Sequence, residues 1–140
     1  MAVPMAFAAQ TNSVPAIAWQ LFAAAVIWAT AYDTLLAMAD RPDDIHIGVK
    51  STAIFFGRAD LIIVFILQAL TLSLLMFIGW QQGRGIIFHV GLVCAAVFVI
   101  HQLRISRHRE PSQCLRAFLN NHFLGMCIFI ALAVDFAIKP

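Results

Sequence analysis

The stretch Val14–Asp44, VPAIAWQLFAAAVIWATAYDTLLAMADRPDD, decides how the chain folds. From Val14 to Ala39 it carries a single charged side chain, Asp33, among mainly apolar residues. About 20 such residues, rising 1.5 Å each as a helix, cross the hydrocarbon core of a bilayer. A barrel strand would instead alternate apolar and polar residues over about ten positions. The run then ends in charge, with Asp40, Arg41, Asp43 and Asp44 grouped around Pro42.

Working outward, three more segments have the same character: Leu61 to Gly79, Ile86 to Leu103 and Ala117 to Ile138. The connections are a polar stretch from Asp40 to Asp60, a short glycine-containing turn from Trp80 to Gly85, and a basic stretch from Arg104 to Arg116. With 62% hydrophobic and only 11% charged residues, 140 residues cannot bury their apolar surface in one core, so lipid must cover the remainder. The expectation is an all-α membrane protein with four transmembrane helices, the whole of 1–140 forming one unit. A net charge of +2 offers no nucleic-acid footprint. Cys94, Cys114 and Cys127 are odd in number and widely spaced, which reads as small buried hydrophobes rather than a disulfide or zinc framework. Met1 to Gln10 has no basic n-region and reads as the stub of a helix begun upstream, not as a signal peptide.

Each span reverses the chain, so the Asp40–Asp60 and Arg104–Arg116 stretches share one side of the membrane. That side carries seven Lys and Arg residues; the other has only Arg84 and Lys139. The bias predicts that both charged stretches are cytoplasmic and both termini lie opposite.

The chemistry is concentrated where the first span ends. On a helix, Asp33, Asp40 and Asp44 fall within about 20° of one line, and Asp43 lies about 80° away. Acidic residues after a span commonly serve as a solvated cap, but Asp33 lies two turns inside the apolar run, where a carboxylate is costly and marks function. Like charges on one stripe also repel. Hard cations relieve both costs, and Mg²⁺ takes one or two protein carboxylates and completes its octahedron with water and phosphate oxygens. A diphosphate fits, with Arg41 and Lys50 in reach of its remaining charge. Pro42 lacks an N–H and is expected to kink or end the helix. A cation transporter would instead place acids on facing spans near the middle of the membrane.

Other polar residues read as structural. Asn120 and Asn121 are expected to bond neighbouring helices, and His89 and His122 to be satisfied locally. His101 and Gln102 are expected at the interface, and Asp135 to snorkel towards it from the last span.

The run Ala31-Tyr32-Asp33-Thr34, Ala37-Met38, Asp40-Arg41, Asp43-Asp44, Gly48-Val49-Lys50-Ser51-Thr52-Ala53 and Phe56-Gly57 resembles the second aspartate-rich motif of the UbiA prenyltransferase family, in its 4-hydroxybenzoate branch. The likeness continues through Pro4-Met5-Ala6-Phe7-Ala8 and Ala117-Phe118-Leu119-Asn120-Asn121. Leu36 stands where relatives often carry Tyr. The resemblance implies a helical bundle about twice this length in a bacterial inner membrane, of which this chain is the C-terminal part. It implies transfer of a polyprenyl group from polyprenyl diphosphate to 4-hydroxybenzoate in ubiquinone biosynthesis. It implies Asp33, Asp40 and Asp44 as catalytic residues, Asp43 with them as a Mg²⁺ ligand, and Arg41 and Lys50 on the diphosphate. The family's first motif, Asn-Asp-x-x-Asp-x-x-x-Asp, does not occur in these 140 residues. The expectation is therefore that the chain alone is inactive and works with a missing N-terminal half, the alternative being a non-catalytic remnant or subunit.

Overall fold

A computed structural model describes residues 1–138. Among them there are helices and turns but no strand. A ten-residue helix, α1 (Ala2–Thr11), ends on Asn12 in the left-handed conformation and leads into α2 (Ala16–Ile47). The chain then runs through the short α3 (Thr52–Phe56) and a 3-10 turn, Gly57–Ala59, into α4 (Asp60–Gln81). A turn leads to α5 (Ile86–Ile105), and a second 3-10 turn, Ser106–His108, leads to α6 (Pro111–Ile138). Four helices are long and apolar enough to cross a membrane. No more than 33% of the most apolar window of any of them is buried among the described residues, so most of that surface is left for lipid or for further helices.

The polar stretch after the first span is more ordered than its sequence suggests. Pro42 does not end α2, which continues five residues further to Ile47 and stops at Gly48, whose φ of 74° suits a residue without Cβ. A proline removes one helical hydrogen bond, that of Met38. The following turn is stitched by His46, whose Nδ1 lies 2.7 Å from the Pro42 carbonyl and must carry the proton. At 32 residues α2 is about 48 Å long, well over the roughly 30 Å of hydrocarbon, so its Asp-rich end projects beyond the apolar zone. Likewise α6 begins earlier than its apolar run, with Pro111 in the first turn, where its missing N–H costs nothing.

Helices α2, α4, α5 and α6 pack as a ring of neighbours, with α5 against α6 and α2 against α4 the most extensive pairs and α1 lying on α2. Small residues allow the close approaches: a Cβ on Gly91 of α5 would strike Ala131 of α6, and one on Gly125 would meet the Trp28 ring. Near the Asp-rich end Leu35, Met38, Ala53, Val64, Cys114 and Ala117 form the core. Midway, Ala95, Val99 and Leu124 continue it.

Two polar residues sit deeper than expected. Gln102 is not interfacial: it is buried, accepting from Gln68 Nε2 at 2.8 Å and donating to Asn120 Oδ1 at 3.4 Å. Asp135 does not snorkel outward. It is 2% exposed and turns inward, where its carboxylate accepts the Gly85 N–H at 2.9 Å and the Phe88 N–H at 3.4 Å. Those are orphan donors at the start of α5, which has no cap from its own N-cap residue. Capping the positive end of a helix suits a carboxylate better than hydrocarbon does. His89 and His122 bond backbone carbonyls within their own helices or caps, as their isolation in sequence suggests.

Candidate functional site

Because α2 is continuous through Pro42, Asp33, Asp40, Asp43 and Asp44 all ride on one helix. Taking Asp33 as zero, Asp40 and Asp44 lie within about 20° of it, while the buried Ala31, Leu35 and Met38 lie about 140–200° round the axis. The carboxylate stripe therefore faces away from the core of the four-helix unit. Asp33, Asp40 and Asp43 are exposed and Asp44 is half-buried. Two turns and four turns before Asp33 the stripe is continued by Val26 and Trp19, 47% and 50% exposed, so along this line no helix among the described residues covers α2.

None of the four aspartates forms an ion pair among the described residues. Nor do three His, Cys, Asp or Glu side chains among those residues stand together as a ready-made metal cage. The donor set nevertheless fits Mg²⁺, which is usually held by one or two carboxylates plus substrate phosphate and water rather than by an all-protein cage. Asp40 and Asp44, one turn apart with free oxygens, supply that number from a single helix.

The two flanks of the stripe differ. On one side Trp28 meets Tyr32 edge-on within α2, and Tyr32 meets Phe118 of α6 edge-on, with ring centroids 6.0 and 6.1 Å apart. Together with Leu119, Asn121 and His122 they wall a groove of about 320 Å³. Asn121 fixes the indole by accepting from Trp28 Nε1 at 3.3 Å, and its own amide donates to the Phe118 carbonyl at 3.2 Å. The expected helix-bonding role of Asn121 is thus combined with a place in the groove wall. The sequence signal for this groove was an aromatic pair four apart, ambiguous until α6 was set beside it.

On the other flank Arg41 turns to the protein rather than to the stripe. Its Nη2 donates to the Ala53 carbonyl at 2.7 Å and pairs with Asp60, a carboxylate with no exposed surface. Arg109 binds the same carboxylate through Nε at 3.0 Å and Nη2 at 2.9 Å. With Nη2 committed to Asp60, a diphosphate contact from Arg41 would fall to Nη1. Lys50, in the segment between Gly48 and α3, is exposed. Asp60 itself was read only as the end of a polar stretch; its place before an apolar run and the arginine excess on that side were the available signals.

These features define a polytopic helical membrane protein with a carboxylate-bearing helix end set between an aromatic groove and a basic loop. The chain belongs to the UbiA prenyltransferase family, which it matches over residues 1–132. It is 48% identical over 138 residues to the 4-hydroxybenzoate octaprenyltransferase of Hahella chejuensis, covering 99% of this chain and 46% of that protein. The enzymes of the same name from Azotobacter vinelandii and Nitrosococcus oceani are 50% and 52% identical, over 97% and 96% of this chain and 46% and 47% of theirs. The chain thus spans about half the length of the curated relatives it matches. No solved structure matches it.

Proposed function

We propose that this chain supplies the second aspartate half-site of a 4-hydroxybenzoate polyprenyltransferase acting in ubiquinone biosynthesis, set in a bacterial inner membrane with the aspartates at the cytoplasmic face. The observation that carries the reading is the stripe of exposed Asp33 and Asp40 and half-buried Asp44, turned away from the four-helix core on a chain so similar to such enzymes. A side of α2 without a neighbour is where the remaining half of a relative would close the site. Asp40 and Asp44 would hold the Mg²⁺ that the diphosphate brings with it, Asp33 would extend the set deeper, and Asp43 would support it from the flank. Lys50 meets the outer phosphate charge, and Arg41 joins it through Nη1 while Asp60 holds Nη2. Bound Mg²⁺ would supply charge neutralisation that makes diphosphate a better leaving group.

The allylic C–O bond breaks with its electron pair leaving on diphosphate, and positive charge develops on the prenyl chain. Tyr32 and Trp28 on the same helix wall a groove with Phe118, and aromatic rings there would attract such a cation and keep water from it. The ring carbon next to the hydroxyl of 4-hydroxybenzoate then attacks, and that carbon loses its proton.

The test is to express these 140 residues in membranes alone and with the N-terminal half of the Hahella chejuensis enzyme, supplying 4-hydroxybenzoate, a polyprenyl diphosphate and Mg²⁺. Transfer is expected only from the pair, since the chain by itself offers one of the two carboxylate clusters that the family places round the diphosphate. In the pair, Asp40→Ala and Asp44→Ala are expected to abolish transfer, and Asp43→Asn to slow it by about 10–100-fold. No product from the unmodified pair, or Asp40→Ala turnover within about twofold of it, overturns the reading.

A further inference from the structure

Asp60 is buried at the start of α4, and the mechanism above does not use it. Three parts of the chain converge on it. Arg41 comes from the Asp-rich end of α2, Arg109 from the connection between α5 and α6, and the Leu61 N–H from α4 itself, at 2.6 Å from Oδ1. The two guanidinium groups reach past the carboxylate to the loop after α2. Arg41 donates to the Ala53 and Gly57 carbonyls at 2.7 and 3.4 Å, and Arg109 to the Arg58 carbonyl at 2.9 Å. Arg109 adopts a φ of 56°, a conformation uncommon for a residue with a side chain.

The geometry points to Asp60 as a positioning residue: it holds Arg41 and Arg109 in place, and through them the 48–59 segment that carries Lys50, against the Asp-rich end of α2. The inference rests on the prenyl-transfer reading of that stripe. Three physical facts favour this role over simple stabilisation. A buried ion cluster is seldom more stabilising than apolar side chains of the same size, so stability alone does not account for it. A five-residue helix such as α3 is marginal by itself; its Ala53 carbonyl accepts from Arg41, and the Gly57 and Arg58 carbonyls just after it accept from Arg41 and Arg109. The four long helices, by contrast, have their own packing away from Asp60, at Gly91 and Ala131 and in the core around Leu124. Loss of Asp60 therefore frees the loop and Lys50 before it disturbs the spans.

The experiment compares Asp60→Asn with Asp135→Asn, which alters an equally buried carboxylate at the opposite end of the bundle. Both are made in the chain assembled with the relative's N-terminal half, and hydrogen exchange is read on the same samples. Asp60→Asn is expected to speed exchange of the 52–59 amides at least about tenfold with the spans still protected. It is also expected to raise the KM for prenyl diphosphate about tenfold while kcat falls less, and Asp135→Asn to leave that KM unchanged. Should Asp60→Asn fail to assemble, Arg109→Lys replaces it: the charge stays but the fork that joins Asp60 to the Arg58 carbonyl is lost, and the same shifts are expected at smaller size. Unchanged loop exchange, or a KM that moves equally in the Asp135 variant, overturns the proposal. If the unmodified pair transfers nothing, the reading of the stripe fails, while loop exchange in the Asp60 variant still decides whether this carboxylate orders the segment.

Discussion

Replacing Asp135 by alanine tests whether a carboxylate deep in the last span is a helix cap or a surface group. Asp135 accepts a 2.9 Å hydrogen bond from the Gly85 N–H and a long one of 3.4 Å from Phe88. A buried hydrogen bond to a charged group contributes about 1.5–3 kcal/mol, and the long bond little. The favourable placement of a negative charge at the start of α5 adds about 0.3–1 kcal/mol. Arg84 stands 4.0 Å away with its Nε and Nη1 buried and without hydrogen-bond partners, and its guanidinium rests 3.9 Å over the Phe136 ring. Without Asp135 that charge loses its nearest counter-ion. The sum is about 2–4 kcal/mol, a shift in the unfolding equilibrium of about 30-fold to several hundred-fold at 1.4 kcal/mol per decade. Unfolding in mixed micelles of dodecyl sulfate measures the total, and hydrogen exchange at Gly85 and Phe88 locates it. Asp135→Asn keeps one acceptor and is expected to lose about half as much. A loss below about 0.5 kcal/mol for alanine, with both amides exchanging as before, refutes the capping argument and returns Asp135 to the membrane surface.

Two further predictions concern topology and packing. A single cysteine at position 46, in a chain with its three native cysteines replaced, is expected to react with a membrane-impermeant thiol reagent only from the cytoplasmic side; labelling from the periplasmic side of intact cells reverses the orientation drawn from the seven-to-two basic bias. Gly91→Val is expected to force α5 and α6 apart at Ala131 and cost about 1–3 kcal/mol, whereas Gly83→Ala meets open space and its penalty comes only from a φ of 63°; equal stabilities in the two variants contradict the close contact.

The sequence by itself determined the features that depend on neighbours along the chain. Twenty apolar residues need a helix in lipid whatever surrounds them, so the four spans were legible from composition and run length. The common face of Asp33, Asp40 and Asp44 was legible too, because it follows from 100° per residue along a single helix. What only the tertiary structure decided concerns groups distant in sequence. The fate of Pro42 was one such question, since losing one bond ends a helix only when nothing else fastens the next turn, and Arg41 is fastened to residues 53 and 60. Asp135 meets Gly85 across 50 positions, and Asp60 meets Arg109 across 49. A buried carboxylate goes where donors are already fixed in space, and periodicity carries no information about which donors those are. The direction of the aspartate stripe was decided in the same way: spacing set its width, but the packing of α4 and α6 on the opposite side of α2 turned it outward.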